Sequence, residues 1–165
     1  MLSIIRAKEL SLKLALFESL MLSNEEHLKR SVEVVLDTGK RDVSPLGLSF
    51  KTATDDLRES LQVDLVKHLL GEGRKLKIWD DNVFVRRLIG PNREYIEKEI
   101  PHIGLRLETD LPEALKDAEV VVVGTRGLPS EVLQKRLRPD QTLVDLVSLE
   151  KNQRPWAAQY AGICW

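Results

Sequence analysis

Lys51 and Arg58 stand seven residues apart in the segment 47–60, which reads Gly47-Leu48-Ser49-Phe50-Lys51-Thr52-Ala53-Thr54-Asp55-Asp56-Leu57-Arg58-Glu59-Ser60. The order of residue types is that of a buried strand end, a polar loop and a helix start. In an open α/β sheet the loop leaving the carboxyl end of a strand is where ligands dock. Two cations beside a helix N-terminus suit a phosphate there. The plain alternative is a pair of solvated surface cations, one of them paired with Asp55 or Asp56. Position favours the site. Lys51 follows a Gly-x-Ser turn, where a compact point charge can reach a phosphate or sugar oxygen. Arg58 lies near a helix start, where the dipole disfavours a cation by about a few tenths of a kcal/mol. A residue held against a local preference points to function.

Other chemistry is sparse. There is no G-x-G-x-x-G, so the dinucleotide fingerprint is absent from these residues and any nucleotide would be held by side chains. Asp80 falls at the end of the second strand, where a ribose-binding carboxylate sits in a dinucleotide domain. Within Asp80-Asp81-Asn82 it reads first as a helix N-cap and second as a ligand. His27, His68 and His102 share no metal-ligand spacing with each other or with Cys164. His27 and His68 read as surface positions on helices. Cys164, between Ile163 and Trp165, reads as a small apolar contact, since no neighbouring cation lowers its pKa. No Ser-His-Asp arrangement stands out. No residue is assigned as catalytic or as a metal ligand.

The elements that must position Lys51 and Arg58 follow from the hydrophobic pattern. Residues 1–36 read as helix, with Leu10, Leu14, Phe17 and Met21 at helical spacing and a break with a new capping box at Ser23 and Glu26. Leu28, Val32 and Val35 continue it, and Thr38-Gly39-Lys40 ends it. From Val43 the pattern alternates. Strands are expected at 43–48, 75–79, 105–107 (weak), 119–124 and 142–147. Helices are expected after Ser60, over 82–88 and 92–99, after Asp110 and after Pro129. In the first of these, Val63, Val66, Leu69 and Leu70 face inward. The valine run 120–123 reads as a central parallel strand covered on both faces. The tail 151–165 reads as irregular. The whole is an α/β fold, a Rossmann-like doubly wound parallel sheet with an appended N-terminal helical segment. The division is a helical segment at 1–38 and a Rossmann-like domain at 40–165.

Composition narrows the partners. The chain has 165 residues, a formal net charge of -1 and 5% aromatic residues. Interspersed charge and few aromatics argue against a nucleic-acid binder. No apolar run approaches the roughly 20 residues of a membrane span, and the first residues do not form a signal peptide. The single cysteine fits a reducing cytoplasm.

The 47–60 motif resembles the start of the C-terminal domain of the UDP-glucose/GDP-mannose dehydrogenase family, which runs G-L-[AS]-F-K and then T-x-D-x-R-E-S. The likeness extends over most of the chain. Ser19-Leu20-Met21 with Ser23-Asn24 resembles the segment joining the family's central helical domain to its C-terminal domain. Trp79-Asp80 matches an aromatic-Asp strand ending. Asn92-Arg93-Glu94-Tyr95-Ile96-Glu97, Ile100-Pro101-His102 and Ala161-Gly162-Ile163-Cys164-Trp165 are similar to the GDP-mannose branch. The resemblance implies an NAD-dependent oxidoreductase that takes a nucleotide sugar, GDP-mannose or UDP-glucose, to the uronic acid for polysaccharide biosynthesis. It implies that Phe50 and Lys51 contact the sugar nucleotide and that Arg58 reaches the NAD. The family's NAD fingerprint and G-G-x-C-x-x-K-D-type cysteine motif are absent from these residues. The expectation is therefore a truncated, inactive sugar-nucleotide-binding domain that does not bind NAD tightly by itself. It would be a homodimer through the apolar N-terminal helix, or the partner of an N-terminal half. The alternative is a non-catalytic nucleotide-binding or interaction subunit of a split enzyme. The chain departs from the family pattern at Pro45, inside the first strand, at Leu61, where a proline usually starts the helix, and at Gly124-Thr125-Arg126-Gly127.

Overall fold

The computed structural model describes residues 15–49, 57, 60–81, 91–125, 130–150 and 159–163. Five parallel strands form one sheet in the order β2-β1-β3-β4-β5. They are β1 (Asp42–Leu46), β2 (Lys75–Leu76), β3 (Val120–Val123), β4 (Thr142–Asp145) and β5 (Gln159–Gly162). The helices are α1 (Ala15–Asp37), α2 (Leu61–Gly71), α3 (Pro91–Glu99), α4 (Leu111–Lys116) and α5 (Ser130–Arg136), with a 3-10 turn at Ile103–Leu105. This is the doubly wound α/β sheet with an N-terminal helix that the pattern predicts.

The valine run lies at the centre because each of its faces has a cover. Val120 and Val122 join the cluster built with Val35 of α1, Val63, Leu65, Val66 and Leu69 of α2, and Ile96 of α3. Val121 and Val123 join Leu111 and Leu115 of α4 and Leu133 of α5 on the other face. Alternation along a strand sends successive side chains to opposite faces, so helices on both sides require apolar residues at every position. Lys67 of α2 forms an ion pair with Glu99 of α3, tying the two helices on one face.

Pro45 stays inside the sheet, in register with Val122 of β3. The β1 residues that bond β2 are the odd-numbered ones: Lys77 N donates to Val43 O and Gly47 N to Trp79 O. Pro45 occupies the position between Val43 and Gly47 on that side and has no N–H to give. The regular pairing of β2 stops at Leu76 and resumes as an isolated bridge between Leu46 and Trp79. The expected strand 75–79 is therefore interrupted rather than absent.

Four further expectations are corrected. The break at Ser23 does not occur, since α1 runs unbroken from Ala15 to Asp37. Packing of the helix on α2 outweighs the few tenths of a kcal/mol by which Ser and Asn disfavour a helix. The weak strand at 105–107 is not formed: Leu105 ends the 3-10 turn, and Leu107, two residues on, makes one parallel bridge to Ile78. The last predicted strand stops at Asp145, whose carboxylate accepts from Val147 N at 2.9 Å and Leu149 N at 2.8 Å and turns the chain. The tail is not wholly irregular, since 159–162 pairs with β4 as β5. The predicted helix at 82–88 lies outside the described residues.

Candidate functional site

In the order β2-β1-β3-β4-β5 the chain moves one way from β1 and the other way from β3, so the topological switch point lies between their carboxyl ends. Two glycines stand there. Gly47 has φ +94, and a Cβ on it would lie 2.5 Å from Thr125 Cγ2. A Cβ on Gly124 would lie 2.7 Å from Gln62 Cγ and 3.2 Å from Gly47 O. The two backbones approach closely, and the side chains of Gln62 and Thr125 fill the space beside them. Gln62 Nε2 donates to Gly124 O at 2.8 Å, which fastens the start of α2 to the end of β3.

The exit of β1 is held from two other directions. Asp80, only 3% exposed, turns its carboxylate to the backbone of the neighbouring strand. Its Oδ2 accepts from Leu48 N at 2.6 Å, from Ser49 N at 3.1 Å and from Ser49 Oγ at 3.4 Å. Ser60, also buried, donates its hydroxyl to Leu48 O at 2.6 Å. Ser60 does stand at the N-cap of α2, but its side chain makes no capping bond. Leu48 is thus gripped at its N–H by Asp80 and at its carbonyl by Ser60. Leu57, with no exposed surface, belongs to the core cluster under α1 and α2.

The sequence-predicted site residues Phe50, Lys51 and Arg58 lie outside the described residues. What is described is the frame on either side of them. Ser49 precedes Phe50, and Ser60 follows Glu59. The helix that Asp80 would cap lies outside the described residues, and among the described residues its Oδ2 is bonded to Leu48 and Ser49. Its carboxylate is directed to the amides of Leu48 and Ser49. A Rossmann dinucleotide site needs a glycine cradle after β1 and a carboxylate free for the ribose. Gly47-Leu48-Ser49 and the committed Asp80 do not fit NAD in that mode. Cys164 also lies outside the described residues. Among the described residues no group of His, Cys, Asp or Glu could hold a metal ion, and no helix is long and apolar enough to cross a membrane. His68 is exposed on α2, and His27 is partly buried on α1.

At the amino-terminal ends of β1 and β3 Glu119 accepts from Arg41 N at 2.8 Å and Asp42 N at 3.1 Å. These bonds, the one from Asp42 first, hold its carboxyl below the ordinary glutamate value.

A family model described as the UDP-binding domain of the UDP-glucose/GDP-mannose dehydrogenase family matches residues 45–146. The chain belongs to this family. The matched region of this dehydrogenase-family chain runs from Pro45 of β1 to Leu146, just past β4, and so contains the whole switch point. The GDP-mannose 6-dehydrogenase of Pseudomonas putida is 38% identical over 160 residues, which is 97% of this chain and 36% of that protein. That of Azotobacter vinelandii is 39% identical over the same share of each. The crystal structure of a ternary complex of GDP-mannose dehydrogenase from Pseudomonas aeruginosa superposes with a TM-score of 0.81 at 38% identity, over 98% of this chain and 37% of that one. The chain spans just over a third of the length of these dehydrogenases.

Proposed function

We propose that this chain forms the sugar-nucleotide side of an NAD-dependent nucleotide-sugar 6-dehydrogenase, with GDP-mannose as the ligand. The observation that carries this reading is the family match over 45–146, a stretch of sequence that includes Lys51 and Arg58. In this account Phe50 and Lys51 face the sugar nucleotide, Lys51 supplying a positive charge to the diphosphate or a sugar oxygen. Arg58 faces an NAD held outside the residues described above. GDP is favoured over UDP because the relatives at 37–39% identity carry the name GDP-mannose 6-dehydrogenase. The reading includes a helical segment over 1–38, a nucleotide-binding domain over 40–165, association through the helix or with an NAD-binding half, and a cytoplasmic location.

These 165 residues contain neither a dinucleotide fingerprint nor the family's cysteine motif. The chain alone is therefore proposed to bind and not to turn over, since covalent oxidation has no nucleophile to begin it. Calorimetric titration of the chain with GDP-mannose, GDP and UDP-glucose tests the reading. Binding of GDP-mannose and GDP in preference to UDP-glucose is expected. Failure of all three to bind overturns it, and sustained NADH formation by the pure chain overturns the inactive part of it.

A further inference from the structure

We infer that Ser148, in the turn leaving β4, is a ligand-contacting residue that donates to a sugar hydroxyl of the nucleotide sugar. Asp145 and Tyr160 are positioning residues that hold the turn presenting it. The inference rests on the nucleotide-sugar reading above and adds the β4 exit to that site.

Ser148 has φ +58. A serine rarely occupies the left-handed region, because its Cβ crowds the backbone there. A turn that had only to redirect the chain would carry glycine at this position without that strain. The conformation is imposed from both sides. The Asp145 carboxylate accepts from Val147 N at 2.9 Å through Oδ1 and from Leu149 N at 2.8 Å through Oδ2, so it holds the residues before and after Ser148. Tyr160 of β5 donates its hydroxyl to Oδ2 at 2.6 Å and braces the carboxylate from the outer strand. Asp145 and Leu149 are buried, whereas Ser148 is half-buried. Among the described residues neither the N–H nor the hydroxyl of Ser148 has a hydrogen-bond partner. A buried carboxylate and a tyrosine thus fix a strained serine whose own two donors stay open. Strain over-determined by its surroundings in this way collects at binding sites.

The place suits a ligand. β4 lies beside β3, and its exit stands on the carboxyl edge of the sheet, where open α/β folds bind their ligands. An open hollow on this edge is lined both by Gln62, at the switch point, and by Leu146, in the β4 turn. The switch point and the β4 exit therefore border one opening. The Asp145 carboxylate selects the chemistry. It lies within the same turn, so a phosphate placed against Ser148 would be repelled by it. A neutral acceptor is not repelled, and a nucleotide sugar offers such acceptors in the hydroxyls of its hexose and of its ribose.

The test uses the full chain with Ser148→Gly and, separately, Tyr160→Phe. Affinity for GDP-mannose and for GDP is measured by calorimetry at a temperature where circular dichroism shows each variant fully folded. Ser148→Gly keeps the left-handed backbone accessible and removes only the hydroxymethyl group. It is expected to weaken GDP-mannose about three- to tenfold, the loss of one neutral hydrogen bond. A loss confined to GDP-mannose assigns the contact to the hexose, and an equal loss for GDP assigns it to the ribose. Tyr160→Phe should weaken GDP-mannose in the same direction by a smaller factor, since Ser148 is kept and only its support loosens. A merely structural tyrosine would lower the melting temperature and leave the affinity of the folded chain unchanged, which overturns the positioning role. Parental affinity for GDP-mannose in folded Ser148→Gly overturns the inference and leaves the functional reading standing. Absence of GDP-mannose binding by the parent chain overturns both.

Discussion

Gly47→Ala should be one of the most damaging single-methyl additions the chain can carry. Two separate costs meet at this residue. The first is conformational. Gly47 has φ +94, and an L-residue forced into the left-handed half of the map loses about 1–2 kcal/mol. The second is steric. The new Cβ would lie 2.5 Å from Thr125 Cγ2, 2.8 Å from Thr125 Cβ and 3.3 Å from Thr125 N. Threonine is stiff at χ1, so its methyl cannot simply turn away, and overpacking of this kind costs about 1–3 kcal/mol. The sum is about 2–5 kcal/mol, a large part of the roughly 5–15 kcal/mol that holds a domain together. Urea denaturation followed by circular dichroism measures it. A second background separates the two terms. In Thr125→Gly the two close side-chain atoms are gone and only the backbone N at 3.3 Å remains, so Gly47→Ala should then cost little beyond the conformational 1–2 kcal/mol or so. A cost below about 0.5 kcal/mol in the parent, or the same cost in both backgrounds, would refute the reasoning.

Further outcomes follow from the same packing. Ser44 Oγ is buried in β1 without a hydrogen-bond partner among the described residues. Ser44→Ala should raise stability by about 1 kcal/mol, because an unsatisfied buried hydroxyl costs more than it contributes, and a lower urea midpoint contradicts this. Tyr160 of β5 donates its hydroxyl to Asp145 Oδ2 at 2.6 Å. Tyr160→Phe should cost about 1–2 kcal/mol in chemical denaturation, and no change would deny that this bond fastens β5 to β4. The folded state holds the Glu119 carboxyl below its ordinary value. Its contribution is therefore complete above the normal glutamate range and is lost as the pH falls below it. Glu119→Gln should flatten that part of the acid limb in a pH series of melting temperatures, and an unaltered limb would contradict the assignment.

The fold was legible where one residue type settled the question. Four valines in succession can only be covered on both faces, and β3 lies at the centre of the sheet with helices on both sides. The start of α2 at Ser60 was legible as a helix boundary, but the use of its hydroxyl was not. Capping is a local habit, and the bond to Leu48 O arises from tertiary placement. Asp80 shows the same limit more sharply. Its neighbours suggest a cap, its strand-end position suggests a ribose ligand, and two of its partners lie 31 and 32 residues away across the β1–β2 pairing. No local pattern carries that information. β5 was missed because the short stretch Gln159–Gly162 becomes a strand through its pairing with β4 rather than through its own composition. The cations of the motif, Lys51 and Arg58, are read from the sequence alone, since both lie outside the described residues. The bonds by which Asp80 and Ser60 hold Leu48 required the structure.

The most direct test of the central claim is the affinity of GDP-mannose for the parent chain and for Lys51→Ala, measured side by side by calorimetry. A well-formed charge-assisted contact is worth about 1.5–3 kcal/mol, so Lys51→Ala should bind about ten- to a hundredfold more weakly. Arg58→Ala, whose proposed partner is NAD, should bind GDP-mannose nearly as the parent does. Equal affinity in the parent and in Lys51→Ala, with measurable binding in both, would contradict the account.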